Sequence, residues 1–213
     1  MEENAYSISL EKNPRISIKV IPGHFSTGFF HTNYYLDVST LKANALVARD
    51  VARELAIPYL SSALVETIVC MENTKVIGAF MAEELLQDGT AVMNSGGEIH
   101  VVTPMSNTEG NLTFYDNEIE WIANKHIILL TTTISSGRTM GRALDCLSYY
   151  GGRIAGISTL FYLSGFMPDR PINTLFTSDD LPDYRIFVSS ECALCKSGEK
   201  LDAIISSEGY KKI

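Results

Sequence analysis

Positive charge is scarce in this chain. Its 213 residues hold 17 Lys and Arg against 25 Asp and Glu, a net charge of −8 at pH 7, and the pI is near 5.0. Such a chain repels polyanions, so neither nucleic acid nor an anionic membrane surface is expected as a partner. The deficit has a location. Between Val76 and Asn124 there is no Lys or Arg, while Glu83, Glu84, Asp88, Glu98, Glu109, Asp116, Glu118 and Glu120 all fall there.

Long apolar runs are also missing. The run at 127–130 stops far short of the roughly 20 residues that a membrane-spanning helix needs. The first stretch of chain contains Glu2, Glu3, Glu11 and Lys12 and no uninterrupted apolar core. It carries no secretory-signal pattern, which predicts a cytoplasmic location.

Cysteine and histidine are sparse, with four of each. Cys70 and Cys146 sit in apolar segments, and only Cys192 and Cys195 are closely spaced, as one C-x-x-C. This is no disulfide framework, and reduced thiols are expected. His24, His31, His100 and His126 are scattered with no metal-ligand spacing, so no resident metal is expected. The C-x-x-C supplies half of a zinc site, whose other ligands would have to come from a distant His or a second subunit. A packed structural pair is the preferred reading.

What is present is enough apolar residue, 46% with 20% charged, to build one domain over 1–213. Val/Ile/Thr-rich segments alternate with longer helical patterns, which predicts an α/β fold on a largely parallel sheet. Ser39 or Thr40 caps a helix carrying Leu41, Leu46, Ala52 and Leu55 and ending before Pro58. A buried strand follows at 67–71. After the polar turn Glu72-Asn73-Thr74-Lys75 comes a helix over 76–87, with Ile77, Phe80, Met81 and Leu85 at helical spacing and Gly89 as its C-cap. Short strands are expected at 91–93, 99–103 and about Thr113. The polar segment 105–112 between the last two reads either as a flap or as a long hairpin connection. Three prolines between 166 and 182 suggest a surface excursion before a tail over 182–213.

The segment 125–160 is the most informative. It reads as a strand (127–130), a hydroxyl-rich loop (131–139), a helix (140–150), the Gly151-Gly152 turn and a strand (154–161), one complete βαβ unit. A helix N-terminus presents unpaired N–H groups and partial positive charge, to which Ser and Thr hydroxyls add donors. A phosphate monoester is the natural guest, and Gly137 lets backbone approach it closely. A plain turn whose hydroxyls cap the helix remains the alternative.

The run IILLTTTISSGRTM at 127–140 resembles the phosphoribosyl diphosphate motif of type I phosphoribosyltransferases, and RALDCLSYYGGRIAGIS continues the likeness. Within that family the chain is most similar to orotate phosphoribosyltransferases, because GHFSTGFFHTNYYLDVST at 23–40 looks like their N-terminal hood. The resemblance implies a central, mainly parallel sheet flanked by helices, with a small hood over 1–40. It implies that Ser135, Ser136, Gly137, Arg138 and Thr139 hold a 5′-phosphate, and that Glu72, Asn73, Thr74 and Lys75 face pyrophosphate. Thr131 and Thr132 stand at the ribose-facing position of the family's acidic pair. The lid-like segment 103–117 carries no Lys or Arg. Phe29, Phe30 and His31 replace a basic hood residue, and Tyr162 and Leu163 replace an Asp-Arg near the base.

Phosphoribosyl diphosphate or a nucleoside monophosphate is the implied ligand, with Mg²⁺ bridging the diphosphate, Lys75 and Arg138 as the cations, and a homodimer as the assembly. The implied reaction is phosphoribosyl transfer to a pyrimidine-like base, for which no catalytic residue is assigned. A second class of function, a non-catalytic nucleotide- or phosphate-sensing regulatory or scaffold protein, fits the same loop. Losing one preorganised contact to a transition state costs about 2.7–4 kcal/mol, and the acidic pair and lid cations are replaced together.

Overall fold

A computed structural model describes residues 2–88, 93–107, 110–163, 165, 171–206 and 209–213. Strands β1 (Tyr6–Leu10), β2 (Asn13–Ser26) and β3 (Phe30–Asp37) lead into helices α1 (Ser39–Ala43) and α2 (Ala45–Ala56). Next come β4 (Thr67–Cys70), α3 (Lys75–Leu86), β5 (His100–Val102) and the short pair β6 (Met105–Ser106) and β7 (Leu112–Thr113). The second half runs β8 (His126–Ile134), α4 (Arg138–Tyr149), β9 (Arg153–Tyr162), β10 (Ile172–Thr177), β11 (Ile186–Val188), α5 (Ala193–Lys196), β12 (Ala203–Ser206) and β13 (Gly209–Lys212).

The central sheet has five strands in the order β10-β9-β8-β4-β5, every pairing parallel. Its strands read as nearly unbroken apolar runs because both faces are covered. Ile68, Cys70, Ile128 and Leu130 meet α2 and α3 through Val51, Leu55, Ile77 and Met81. Val69, Ile127 and Leu129 meet α4 on the other face through Met140, Ala143 and Leu147. The alternation of the two sets along each strand is the period of 2 that a strand imposes.

The hood is a second sheet, in the order β11-β3-β2-β12-β13 with β1 on β2. Both ends of the chain build it: β11 joins β3 antiparallel, and β12 joins β2 in parallel at Ala203 and Phe25.

Several expected boundaries are corrected. The single helix from Ser39 is two, because Asn44 is extended (ψ 111°) and its side chain accepts from the amides of Leu46 and Val47, starting a new helix. Strand β8 runs on through the threonines to Ile134, held by pairing as far as Ile134 and Tyr162, so the loop before α4 shrinks to 135–137 and the helix starts at Arg138. The segment after 171 is a strand, β10, paired on β9: the prolines flank it and leave its ladder amides intact. Within 105–112, β6 pairs antiparallel with β7, with Met105 opposite Thr113. Gly89 and positions 91 and 92 of the expected strand lie outside the described residues, and Met93 sits in a turn.

Candidate functional site

The chain leaves β4 through α3 to reach β5 on one side, and leaves β8 through α4 to reach β9 on the other. The two crossovers diverge between β4 and β8, which opens a crevice at the carboxyl ends of these neighbouring strands, where open parallel sheets bind ligands. The hood roofs it. The resulting cleft of about 710 Å³ is lined by 132–140 from the end of β8 into α4, by Glu72 and Asn73 after β4, by Lys42 of α1 and by hood residues that include Phe29, Tyr34, Tyr35, Tyr184 and Ile205.

The floor is the start of α4. Gly137 is its N-cap in the left-handed conformation (φ 71°), with no side-chain cap hydrogen bond. Ser135, Ser136 and Thr139 therefore do not cap the helix, and among the described residues no acceptor takes the amides of Ser136, Gly137, Arg138 or Thr139. These orphan donors and three hydroxyls line the cleft together, an anion cradle in both geometry and polarity. The Arg138 guanidinium lies 4.2 Å from the centroid of the Phe29 ring, which ties the cradle to the hood.

Glu72 forms the adjoining wall. It and Asn73 are consecutive non-glycine residues at positive φ, 52° and 62°, a conformation that needs outside support. The support is visible: Glu72 Oε2 accepts from Thr131 Oγ1 at 3.0 Å, the Thr132 amide at 3.1 Å and the Thr133 amide at 3.4 Å. The Glu72 carbonyl accepts from Thr132 Oγ1 and Lys42 Nζ, each at 3.1 Å. The two threonines that stand where an acidic pair is expected thus hold a carboxylate from the neighbouring strand end. Glu72 Oε1 has no partner among the described residues.

The remaining turn residues separate. Asn73 lines the cleft, whereas the buried Thr74 donates its hydroxyl to Met71 O and Leu130 O and so pins the turn. Lys75 is exposed at the head of α3 and is not among the residues that line the cleft. Two cations that sequence spacing did not single out take that place, Lys42 and Arg142; Arg142 also donates to Gly110 O at 3.3 Å in the β6–β7 hairpin. That lid-like hairpin rests against α4, with Thr113 Oγ1 bonded to Tyr150 Oη at 2.8 Å and Cys146 Sγ to Leu112 O at 3.4 Å.

None of the described acids of the stretch 76–124 lines the cleft. Among the described lining residues Glu72 is the one acid, against Lys42, Arg138 and Arg142, a local balance opposite to that of the chain. Glu84 is instead paired with Arg53 at 2.7 Å. In the roof, burial pushes the Tyr35 phenol up to about 12, with Asp37 and Tyr210 adding to the effect, so it stays a neutral hydrogen-bonding group. His31 and Tyr162 are absent from the lining: His31 is buried in the hood and Tyr162 packs against α4.

An adenine phosphoribosyltransferase from Thermoanaerobacter pseudethanolicus matches this architecture with a TM-score of 0.53 at 15% identity, over 75% of this chain and 95% of its own. The chain has the type I phosphoribosyltransferase fold. A UMP synthase from Leishmania donovani matches that fold at 17% identity and a TM-score of 0.51, over 71% of this chain and 32% of its own. An adenine phosphoribosyltransferase from Leishmania tarentolae does so at 13% and 0.50, over 70% and 78%. No family model matches the sequence, and neither does any curated protein.

Proposed function

We propose that this phosphoribosyltransferase-like protein binds a 5′-phosphorylated ribose, as phosphoribosyl diphosphate or a nucleoside monophosphate. The observation that carries the reading is the uncapped start of α4, whose amides, free among the described residues, open into a cleft whose described lining holds three cations and one acid. The phosphate sits on 135–139. The ribose lies toward Glu72, the carboxylate held by Thr131 and Thr132, and the base meets the aromatic roof of Phe29, Tyr34 and Tyr184, where flat faces favour stacking.

Mg²⁺ belongs to the proposal on a limited donor set. Magnesium is usually held by one or two carboxylates plus substrate phosphates, and among the described lining residues Glu72 Oε1 is the one carboxylate oxygen without a partner. Bound there with a diphosphate, the ion would neutralise charge on the departing group. Lys42, Arg138 and Arg142 supply further positive charge on the protein side, the role the sequence reading gave to Lys75 and Arg138. Where this chemistry operates, it transfers phosphoribose to a base. A pyrimidine is the base drawn from the orotate-type likeness, in a homodimer measurable by light scattering.

A second reading, a nucleotide sensor without turnover, is favoured by one observation: the strand end that faces the ribose offers a single carboxylate, and that group is already held by three donors. Calorimetry and thermal unfolding with phosphoribosyl diphosphate, nucleoside monophosphates and phosphate, each with and without Mg²⁺, test both readings. A ligand at a hundred times its Kd adds about 2.7 kcal/mol of stability, or roughly 5–10 °C in a domain of this size. Gly137→Asp, which places a carboxylate and a strained backbone at the cradle, is expected to abolish the shift. Pyrophosphate release on adding a base identifies a transferase; a shift with nucleotide and no release identifies a sensor. No shift with any of these ligands overturns the binding proposal.

A further inference from the structure

The hood contains a side-chain cluster that the cleft does not use. His24 lies near the end of β2 and His31 near the start of β3, while in the tail Cys192 is the N-cap of α5 and Cys195 lies within it. One ligand atom from each residue lies within 4.8 Å of the other three. His24 Nε2 is 3.0 Å from His31 Nδ1, 3.4 Å from Cys192 Sγ and 3.6 Å from Cys195 Sγ, and Cys195 Sγ is 3.3 Å from His31 Nδ1. Spacing along the sequence hid this group, because the tail lies more than 160 residues beyond the hairpin it meets.

We propose that His24, His31, Cys192 and Cys195 form a structural Zn²⁺ site that fastens the tail to the hood. The distances carry the assignment. For a tetrahedral ion with Zn–N about 2.05 Å and Zn–S about 2.3 Å, the edges are about 3.3 Å for N···N and about 3.6 Å for N···S. The four separations fall on or just inside those edges. Two nitrogens and two sulfurs in this geometry are a zinc donor set, and two thiolates balance the charge of the ion in a site where His24, His31 and Cys192 are buried. All four positions are filled by protein, as in structural sites and unlike catalytic ones.

The surroundings orient the ligands. His24 Nδ1 lies 3.0 Å from the Glu199 carbonyl; donating there fixes the tautomer that leaves Nε2 bare for a metal. Without a cation that single lone pair would face His31 Nδ1 and both sulfurs at once. The backbone on either side is clamped: the His24 amide donates to Asp202 Oδ2 at 2.8 Å, and the Asp202 amide to His24 O at 2.8 Å. The C-x-x-C turn closes on itself, Lys196 N bonding Cys192 O, and Gly198 (φ 84°) bonding Cys195 O. Cys195 is exposed and gives the ion its entry side.

The location gives the site a consequence. The small hood core behind it consists of Ile21, Phe25 and Ala203 with a few partly buried neighbours, and the tail strand β12 touches β2 at two register positions. Thr27, Phe29, Phe30 and Thr32 around one pair of ligands, and Ile205, Ser206 and Gly209 beyond the other, line the cleft. Zinc therefore holds two halves of the cleft roof in register.

The test uses the intact chain purified under reducing conditions without chelator. Mass spectrometry is expected to find one zinc per chain, and loading the apo-protein to release two protons as the thiols become thiolates. Co²⁺ in place of zinc is expected to give the intense visible bands and thiolate charge-transfer absorption of a tetrahedral site. Cys195→Ser, at the exposed position, is expected to weaken metal affinity about a hundredfold or more with the central fold retained by circular dichroism. Zinc-free protein that is folded, gives no tetrahedral spectrum with stoichiometric Co²⁺, and shows the same Cys192 and Cys195 reactivity toward a thiol reagent with and without zinc overturns the proposal.

Discussion

Replacing Glu72 by alanine and by glycine separates two contributions that the turn after β4 combines. The carboxylate accepts from Thr131 Oγ1, Thr132 N and Thr133 N, and both substitutions remove it. A hydrogen bond to a charged group is worth about 1.5–3 kcal/mol. Water from the cleft can replace part of it, since Glu72 is only half-buried, so the loss common to both variants is about 2–4 kcal/mol. The backbone contribution differs between them. At φ 52° a residue with a Cβ carries a strain of about 1–2 kcal/mol, which glycine relieves. Against this, glycine loses about 0.4–1 kcal/mol through the greater freedom of the unfolded chain. Glu72→Gly is therefore expected to be more stable than Glu72→Ala by about 0.5–1 kcal/mol, the reverse of the usual order. Urea unfolding with unchanged m-values reads the difference directly. A glycine variant no more stable than the alanine variant would show that position 72 is not left-handed, and the carboxylate clamp on Thr131 and Thr132 would fall with it.

Three further outcomes are expected. Asn44→Ala removes the acceptor for the amides of Leu46 and Val47 and should cost about 1 kcal/mol in urea unfolding, with Asn44→Asp close to neutral. Gly78→Ala should destabilise by about 1–3 kcal/mol despite the better helix propensity of alanine, because its Cβ would be driven into Cys70 Sγ and against Val101; adding Cys70→Ala should recover part of the loss. The Glu66 carboxylate, which accepts from the His126 amide at 3.0 Å, the His126 ring at 2.9 Å and Lys125 at 3.1 Å, is lowered from 4.5 to about 2, with the His126 backbone bond as the largest cause. A depressed folded-state pKa adds stability that is full above about pH 4.5 and is lost as pH falls toward 2. Unfolding midpoints measured across that window should fall less steeply for Glu66→Gln than for the parent.

The central sheet was legible because its signals are local. Strands β4 and β8 are β-branched runs between turn residues, and α4 places Met140, Ala143 and Leu147 at helical spacing, so the βαβ unit follows from composition and period. Asn44 was a readable cap overlooked inside a longer apolar pattern. Strand β10 was hidden by its prolines, which bracket the ladder without entering it. The hood's second half was hidden more deeply: the pairing of β12 with β2 depends on distant segments meeting, and neither strand announces its partner.

The candidate site divides along the same line. Ser135 to Thr139 could be found because a strand, a glycine and a helix start lie consecutively in the chain. Glu72 could be placed in a turn from its neighbours, but its grip on Thr131 and Thr132 needs β4 beside β8, and Lys42 meets the Glu72 carbonyl through α1 packed against α3. Lys75 was placed at the pyrophosphate by the resemblance, and the first turn of α3 leaves it exposed. Charge divides in the same way. The eight acids between Val76 and Asn124 would repel diphosphate only if they faced the site, and the described cleft carries Lys42, Arg138 and Arg142 against Glu72. Net charge governs encounter over about 8–10 Å of screened solvent, whereas binding responds to the groups in contact. A net charge of −8 therefore does not fix the charge of the crevice, where three of the seventeen cations meet one acid among the described lining residues.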